Sequence, residues 1–274
     1  IGLPYTDPEI REDDGEIQAA LEGKLPKLIV LKEIKGDLHC HTSFGGVKER
    51  DSIEIMCKKA MDLGYEYIGV SDHTEFLKIE HGLSGKQLLK QSEEIRKLNS
   101  KFRVKNSEFR ILHGCEVNIL NDGSVDIKDE VLEKLDFVIA GVHSTMKMDR
   151  KEMTARIIKA MENPNIDIFA HPTGRLIGRR EEYQIDFNKI LETAKKTGTV
   201  LEINSAPIRL DLNGFNIRRA KASGVKMVIN TDSHRKEQMD LMEYGVGQAR
   251  RGWAEKNDII NTLSQEELLK CFKK

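Results

Sequence analysis

No apolar run in this sequence approaches the roughly 20 residues that a helical membrane span requires, and no secretory leader pattern is visible. The four cysteines, Cys40, Cys57, Cys115 and Cys271, form no C-x-x-C pair and no disulfide-like framework. That usage fits a reducing, cytoplasmic setting. Neither sign of charge dominates: 44 Lys and Arg stand against 45 Asp and Glu, a net charge of −1. No whole-molecule field therefore draws the protein to DNA or to an anionic membrane. Also missing are a G-x-S-x-G nucleophile elbow, a G-x-x-x-x-G-K-S/T phosphate loop and a strand-linked G-x-G-x-x-G. These absences remove elbow-type serine hydrolases, P-loop nucleotide binders and dinucleotide enzymes. No repeat of solenoid period appears.

What is present is a strand–helix rhythm. Residues 1–33 differ from the rest, holding three of the six prolines and a cluster of acids. They are expected to form a lead-in arm with a short helix around Glu16–Glu22. Because the chain opens on Ile1, the arm is expected to continue from an N-terminal neighbour. From residue 34 to 274 one domain is expected. Strand-length apolar runs occupy 34–41, 65–73, 109–117, 136–144, 166–173, 199–205 and 226–234. Helical stretches are expected near 52–64, 84–100, 127–135, 150–162, 186–197, 214–223 and 264–273. Ser52, Ser84 and the Ser264/Glu267 pair are capping signals, and Gly64, Gly198 and Gly224 are stop signals. Alternation of this kind predicts an α/β fold with a parallel sheet.

The strand ends decide between an open sheet and a barrel. In order they carry His39 and His41, Asp72-His73, Glu116, His143, His171, and Asp232 with His234. Strand six, ending Asn204-Ser205, carries no comparable ligand. In a closed barrel these ends converge on one mouth, whereas an open sheet would scatter them. A distorted TIM-like barrel of seven strands, (β/α)7, is the expected architecture. Residues two apart on a strand share a face, so His39 and His41 point inward together, and Asp232 with His234 repeats the spacing. Cys40 then faces the helices as a small apolar residue. Any one histidine at a strand end is most simply structural, but six of the eight fall at these ends. His81, in a loop, and His113, on the other face from Glu116, are read as structural.

Six imidazoles with carboxylates at one mouth are costly to bury unless cations compensate them. Mixed nitrogen and oxygen ligands favour Zn²⁺, Mn²⁺ or Fe²⁺ over Mg²⁺ and Ca²⁺. The ligands His39, His41, His73, Glu116, His143, His171, Asp232 and His234 are too many for one ion and suit two or three, with Glu116 able to bridge. Such clusters activate water against phosphate esters, with Glu116, His143 and Asp232 as the expected catalytic residues. Arg175, Arg179 and Arg180 follow His171, Lys147 follows His143, and Arg209 follows strand six. These are candidate substrate-phosphate ligands, set against the plainer alternative of solvated loop charges.

The ordered motifs DLHCHT (37–42), SDHTE (71–75), GCEV (114–117), GVHS (141–144), AHPTGRLIGRR (170–180) and TDSH (231–234) resemble those of the PHP (polymerase and histidinol phosphatase) family. The lead-in LPYTDPEIREDDGEIQAA and the stretch VGQARRGWAEKNDIINTL look like the C-terminal PHP domain of family X DNA polymerases. The resemblance implies a distorted seven-stranded barrel and a manganese-dependent 3′–5′ exonuclease acting on DNA 3′ ends, with a polymerase domain as the N-terminal partner. It implies one ion on His39, His41, Glu116 and Asp232, a second on Glu116, His143 and His171, and a third on His73 and His234. The family's first motif usually continues with an acid that serves the third ion; Gly46 occupies that place here. Alternatives are a small-molecule phosphomonoesterase of the histidinol-phosphatase type and a metal-stabilised docking domain. An amidohydrolase-like barrel also opens with His-x-His, but its bridging lysine on strand four has no counterpart.

Overall fold

The computed structural model describes residues 2–104 and 108–272; residue 273, in the expected last helix, lies outside them. The strands are β1 (Gly36–Cys40), β2 (Tyr67–Val70), β3 (Arg110–His113), β4 (Glu116–Asn118), β5 (Ile139–Gly141), β6 (Ile168–Phe169), β7 (Val200–Asn204) and β8 (Met227–Asn230). All pairing between them is parallel, in the orders β1-β2-β3 and β4-β5-β6-β7-β8. Single parallel bridges join the two sheets at both seams, His73 to Glu116 and Cys40 to Ser233. At the second seam His41 N donates to Ser233 O at 2.7 Å and Ser233 N to His39 O at 3.2 Å. The fold is thus α/β and parallel, with a barrel-like outline that bridges, not a full ladder, draw together.

The expected strand at 109–117 is two strands, because the chain breaks step at Gly114-Cys115. A Cβ on Gly114 would lie 2.6 Å from the Phe137 ring, so only glycine lets that ring sit against the backbone there. The break leaves His113 paired with Val70 while Glu116 pairs with Ile139 of β5.

The helices are α1 (Glu16–Leu21), α2 (Ile53–Asp62), α3 (Gly85–Val104), α4 (Asp129–Leu132), α5 (Arg150–Met161), α6 (Phe187–Thr197), α7 (Gly214–Ala222), α8 (Met242–Arg251) and α9 (Gln265–Leu269). The Ser52 side chain accepts from Ile55 N, and Ser264 with Glu267 forms a reciprocal capping box. Gly198 closes α6 in the left-handed conformation. The helix expected near 127–135 contracts to the single turn of α4. Helix α8 was not expected: Gly245 and Gly247 lower its helical propensity. Tertiary packing overrides that preference, since a Cβ on Gly245 would meet Ser205 Oγ at 2.0 Å and Ile229 Cγ2 at 2.5 Å. The glycine lets α8 lie directly on β7 and β8. No helix among the described residues is long and apolar enough to cross a membrane.

Two layers of core result. The outer one fills the space between strands and helices and includes Cys40, Met56, Ile68, Val117, Ile203 and Ile229. The inner one holds Leu38, Tyr67, Leu112, Phe137, Ile139, Ile168, Val200 and Val228, with Leu268 and Phe272 from the C-terminal segment plugging it. Phe137 and Phe272 stack with centroids 5.9 Å apart. The polar strand ends rest on this apolar plug. The lead-in arm packs on the flank of the domain: Ile10, Ala20 and Ile29 are buried, and Arg250 on α8 bonds to Asp7 and Glu9.

Gly245→Ala should destabilise the protein by about 1–3 kcal/mol through overpacking. Urea unfolding checks this, and an unchanged midpoint would show that the α8 contact is looser than described.

Candidate metal centre

β1 sets the first two candidate ligands, and simple alternation does not suffice to place them. Leu38 belongs to the inner core, which would turn its neighbour His39 outward. Instead β1 advances from Asp37 to Cys40 while β2 advances only from Ile68 to Val70. This one-residue bulge re-aims the strand, so that Leu38, His39 and His41 all face the interior and Cys40 faces the helices. The last strand ends in another irregularity. Asp232 and, at the end of β6, His171 both adopt left-handed backbone, with φ of 56° and 31°. Such conformations are unfavourable for residues with a Cβ and persist where surrounding structure enforces them.

Glu116 occupies the centre. Its Oε1 lies 3.1 Å from His143 Nε2 and 3.0 Å from His171 Nε2. Its Oε2 lies 2.7 Å from His73 Nδ1, 3.4 Å from His39 Nε2 and 3.7 Å from His41 Nε2. Asp232 Oδ1 stands across from it, 3.1 Å from His41 Nε2 and 3.6 Å from His39 Nε2. His41 stacks on His73 at 4.2 Å and leans on His234 at 4.3 Å between ring centroids. All eight expected ligands therefore meet in one cluster.

Three groups within it are compact enough to hold an ion: His39, His41 and Asp232; His73, Glu116 and His143; and His41, His73 and His234. The sharing differs from the pattern that the resemblance implied. His73 joins Glu116 and His143, His41 is common to two groups, and His171 stands beside Glu116 outside the three. Gly46 is exposed at φ 97°. Nearby, the buried Arg50 bonds to Glu80 and lies 3.9 Å from Asp72.

The donor set fits cations. His39 Nε2, His41 Nδ1, His73 Nδ1, Glu116 Oε2 and His171 Nδ1 are buried and make no hydrogen bond, although His73 Nδ1 and Glu116 Oε2 are close. Five orphaned polar atoms in one cluster are far more than an interior of well-satisfied groups allows. Burial opposes a charge on Glu116, but His143, His39 and His73 outweigh it and hold its pKa well below the usual carboxylate range. Burial likewise opposes a charge on Asp232, and His39 and His41 reverse it. Burial and then its histidine neighbours push His41 well below the ordinary imidazole value. Burial resists protonation of His39 too, but Glu202, Asp232 and Glu116 raise its pKa well above normal.

Glu202 on β7 was missed in the sequence. It is fully buried and bonded at both oxygens: Oε1 accepts from His39 Nδ1 at 2.6 Å and Asn230 Nδ2 at 3.0 Å, and Oε2 from His171 N at 2.8 Å and Asn204 Nδ2 at 3.2 Å. It fixes the His39 tautomer with Nε2 turned to the centre, as carboxylates behind metal-bound histidines do. Asn118 serves His143 in the same way, its Oδ1 2.7 Å from Nδ1. Alternation offered a signal for Glu202, which is two residues before Asn204 on an inward face.

The mouth is a pocket of about 240 Å³ lined by Glu116, His143, His171, Asp232 and His234, with Arg180 and Arg209 on one side and Leu77, Val142 and Met146 among its apolar groups. Of the five cationic candidates, only these two arginines line it. Arg175 is committed elsewhere: its Nε donates to Arg209 O at 2.8 Å and its guanidinium also bonds to Leu210 O. Arg179 and Lys147 are exposed at turns. His113 is buried against α3, beside Ser92 and Gln91, and His81 is exposed at the end of a short 3₁₀ turn.

A family model described as the PHP domain matches residues 37–206. The chain is 42% identical over 269 residues, 97% of its length, to the DNA polymerase/3′-5′ exonuclease PolX of Bacillus subtilis, and spans 45% of that protein. It is 30% identical over 207 residues to a protein named as a phosphatase in Clostridium acetobutylicum, covering 72% of this chain and 78% of the relative. A solved structure from Listeria monocytogenes, assigned as a histidinol phosphatase, superposes with a TM-score of 0.55 at 17% identity, over 75% of this chain and 97% of that one. That last likeness speaks to the fold alone.

Two outcomes are expected. Glu202→Gln should weaken metal binding about 10–100-fold by loosening His39, which titration with Mn²⁺ measures; unaltered affinity would remove Glu202 from the site's support. Burial, then Arg209, lowers the pKa of His171 to about 4 from 6.5. Between these values the unfolded chain binds a proton that the folded one does not. Stability of metal-free protein should therefore fall as pH drops from 6.5 to 4, by up to about 3 kcal/mol from this group. Urea midpoints in chelator, for wild type and His171→Asn, test it: the variant should show a shallower slope.

Proposed function

The chain belongs to the PHP-domain family and is a metal-dependent phosphoesterase; from that premise we propose that its substrates are the 3′ ends of DNA, shortened by a 3′–5′ exonuclease reaction. The observation that carries the phosphoester part of this reading is Glu116, a buried carboxylate with imidazoles around both oxygens, at the floor of a pocket that two arginines overlook. Mn²⁺, Zn²⁺ or Fe²⁺ fits the mixed donor set, with manganese proposed from the family. His39, His41, Glu116 and Asp232, then Glu116, His73, His143 and His171, then His41, His73 and His234, are the residues that would hold two or three ions. Bound there, divalent ions supply water activation and charge neutralisation on phosphate oxygens.

The chain's own groups do the rest. Arg180 and Arg209 present guanidinium donors to a phosphodiester, and Asp232, 3.5 Å from Arg209 Nε, orients that arginine. Leu77, Val142, Met146 and Leu176 give the mouth an apolar part suited to sugar or base. Likeness over nearly the whole chain to a protein named for 3′-5′ exonuclease activity supports DNA as the substrate. It also supports a polymerase domain, joined through the arm, as the partner in the full-length chain. A second reading, a small phosphomonoester as substrate, is supported by the relatives named as phosphatases and by the small volume of the mouth.

The experiment is metal analysis of wild type and Glu116→Ala together with hydrolysis of bis-p-nitrophenyl phosphate in Mn²⁺. At least two ions per chain are expected, lost with activity in the variant, which should fall by about 10³-fold or more. A 3′-labelled DNA strand and a small phosphomonoester then compete as substrates. Preference for the monoester would hand the site to the second reading. Protein that holds no metal and hydrolyses neither would leave a docking role.

A further inference from the structure

The two arginines of the mouth sit on different loops. Arg180 follows β6 and Arg209 follows β7, yet both line one pocket. Burial and then the neighbouring Arg209 lower the pKa of Arg180. Like charges at short range repel, so loops free to move would let them separate.

The loops are not free. Asp211, fully buried, accepts through Oδ2 from the backbone N–H groups of Thr173 and Gly174, both at 2.9 Å. In the other direction, Arg175 donates to the carbonyls of Arg209 and Leu210. Ile177 N donates across to Ile208 O at 2.7 Å, and within the loop after β7 Asn204 N donates to Asp211 O at 2.5 Å. Within its own loop, Arg180 Nε is held by Gly174 O at 2.8 Å, so the glycine that Asp211 grips also orients Arg180. Arg175 grips the backbone of Arg209 itself.

We propose that Asp211 and Arg175 are positioning residues that clamp the loops after β6 and β7 into one unit, so that Arg180 and Arg209 are presented together to a single phosphate group. Each loop gives one charged side chain to the other loop's backbone, and each grip falls on a residue that carries or orients one of the mouth arginines. The assignment rests on the phosphoesterase reading, because it takes the ligand of the paired arginines to be a phosphate.

The test uses the Mn²⁺-loaded protein, with kcat and KM for bis-p-nitrophenyl phosphate and the inhibition constant of inorganic phosphate as readouts. Arg180→Ala and Arg209→Ala come first and should raise KM and the phosphate constant about tenfold. Arg175→Met and Asp211→Ala should raise the same two quantities about three- to tenfold, with a smaller change in kcat. Asp211→Asn, which keeps an oxygen for the two N–H groups, should recover most of the loss. Adding Asp211→Ala to Arg180→Ala should do little more than Arg180→Ala alone, since the two act on one interaction. If Asp211→Ala does not fold, Arg175→Met still decides, because that side chain is partly exposed. Thermal melting separates the alternatives. Reduced stability with KM and the phosphate constant unchanged would make the clamp purely structural and overturn the proposal, as would no change in either. If Arg180→Ala and Arg209→Ala themselves leave the phosphate constant unchanged, the phosphate reading of the mouth fails, whatever the clamp variants do.

Discussion

The buried carboxylate of Glu116 is the constraint to which the rest of the structure answers. An isolated carboxylate in such a place would be neutralised or would unfold the protein. Here five histidines surround it, each delivered by the end of a different strand or by the bulged β1. For those ends to meet, the two parallel sheets must curve toward one another. The bridges His73–Glu116 and Cys40–Ser233, at the two seams, involve ligands or their immediate neighbours. The contacts that join the two sheets and those that build the centre share the same residues.

The backbone is regular in the lower half of the barrel and irregular at its rim. Below, Leu38, Tyr67, Leu112, Phe137, Ile168, Val200 and Val228 form one inner cluster with Phe272, which stacks on Phe137. Above, the bulge in β1, the broken step at Gly114 and the left-handed backbone of His171 and Asp232 each turn a polar side chain toward the centre. Apolar packing below supports the irregular rim, and the hydrogen-bonded network of Glu202, Asn204 and Asn230, in which Asn230 Oδ1 accepts from Leu38 N at 3.1 Å, ties rim to plug. Buried polar networks specify a structure when each member is satisfied, and Glu202, bonded at both oxygens, meets that condition.

The mouth divides its charges. Carboxylates and imidazoles form the floor, the paired arginines one wall, and Leu77, Val142, Met146 and Leu176 an apolar part. Around His234 the division changes. Gly46 contributes no carboxylate, and the buried Arg50 near that edge is paired with Glu80 and stands 3.9 Å from Asp72. The His41, His73 and His234 group is therefore the one of the three that includes no carboxylate, whereas Glu116 and Asp232 each belong to one of the other two.

By itself the sequence determined the class of the fold and pointed to the eight side chains that the structure brings into one cluster. Apolar runs of strand length separated by amphipathic stretches carry that information locally, and a histidine or acid at each strand end can be read without knowing the contacts. It also identified Cys40 as apolar and His113 as lying on the far face from Glu116. Tertiary structure decided what depends on exceptions to local rules. The bulge that turns His39 inward beside Leu38 leaves no mark in an alternating pattern. Helix α8 carries two glycines that argue against it, and exists because Gly245 must pass close to Ser205 and Ile229. Glu202 looked like one more charged residue until the fold closed it behind His39. Among the arginines, charge and position in the chain were nearly the same for all. Only the packing of one loop on another separated Arg180, which faces the mouth, from Arg175, which grips the neighbouring backbone. Long-range contacts choose among locally equivalent residues, and a sequence read residue by residue contains no term for them.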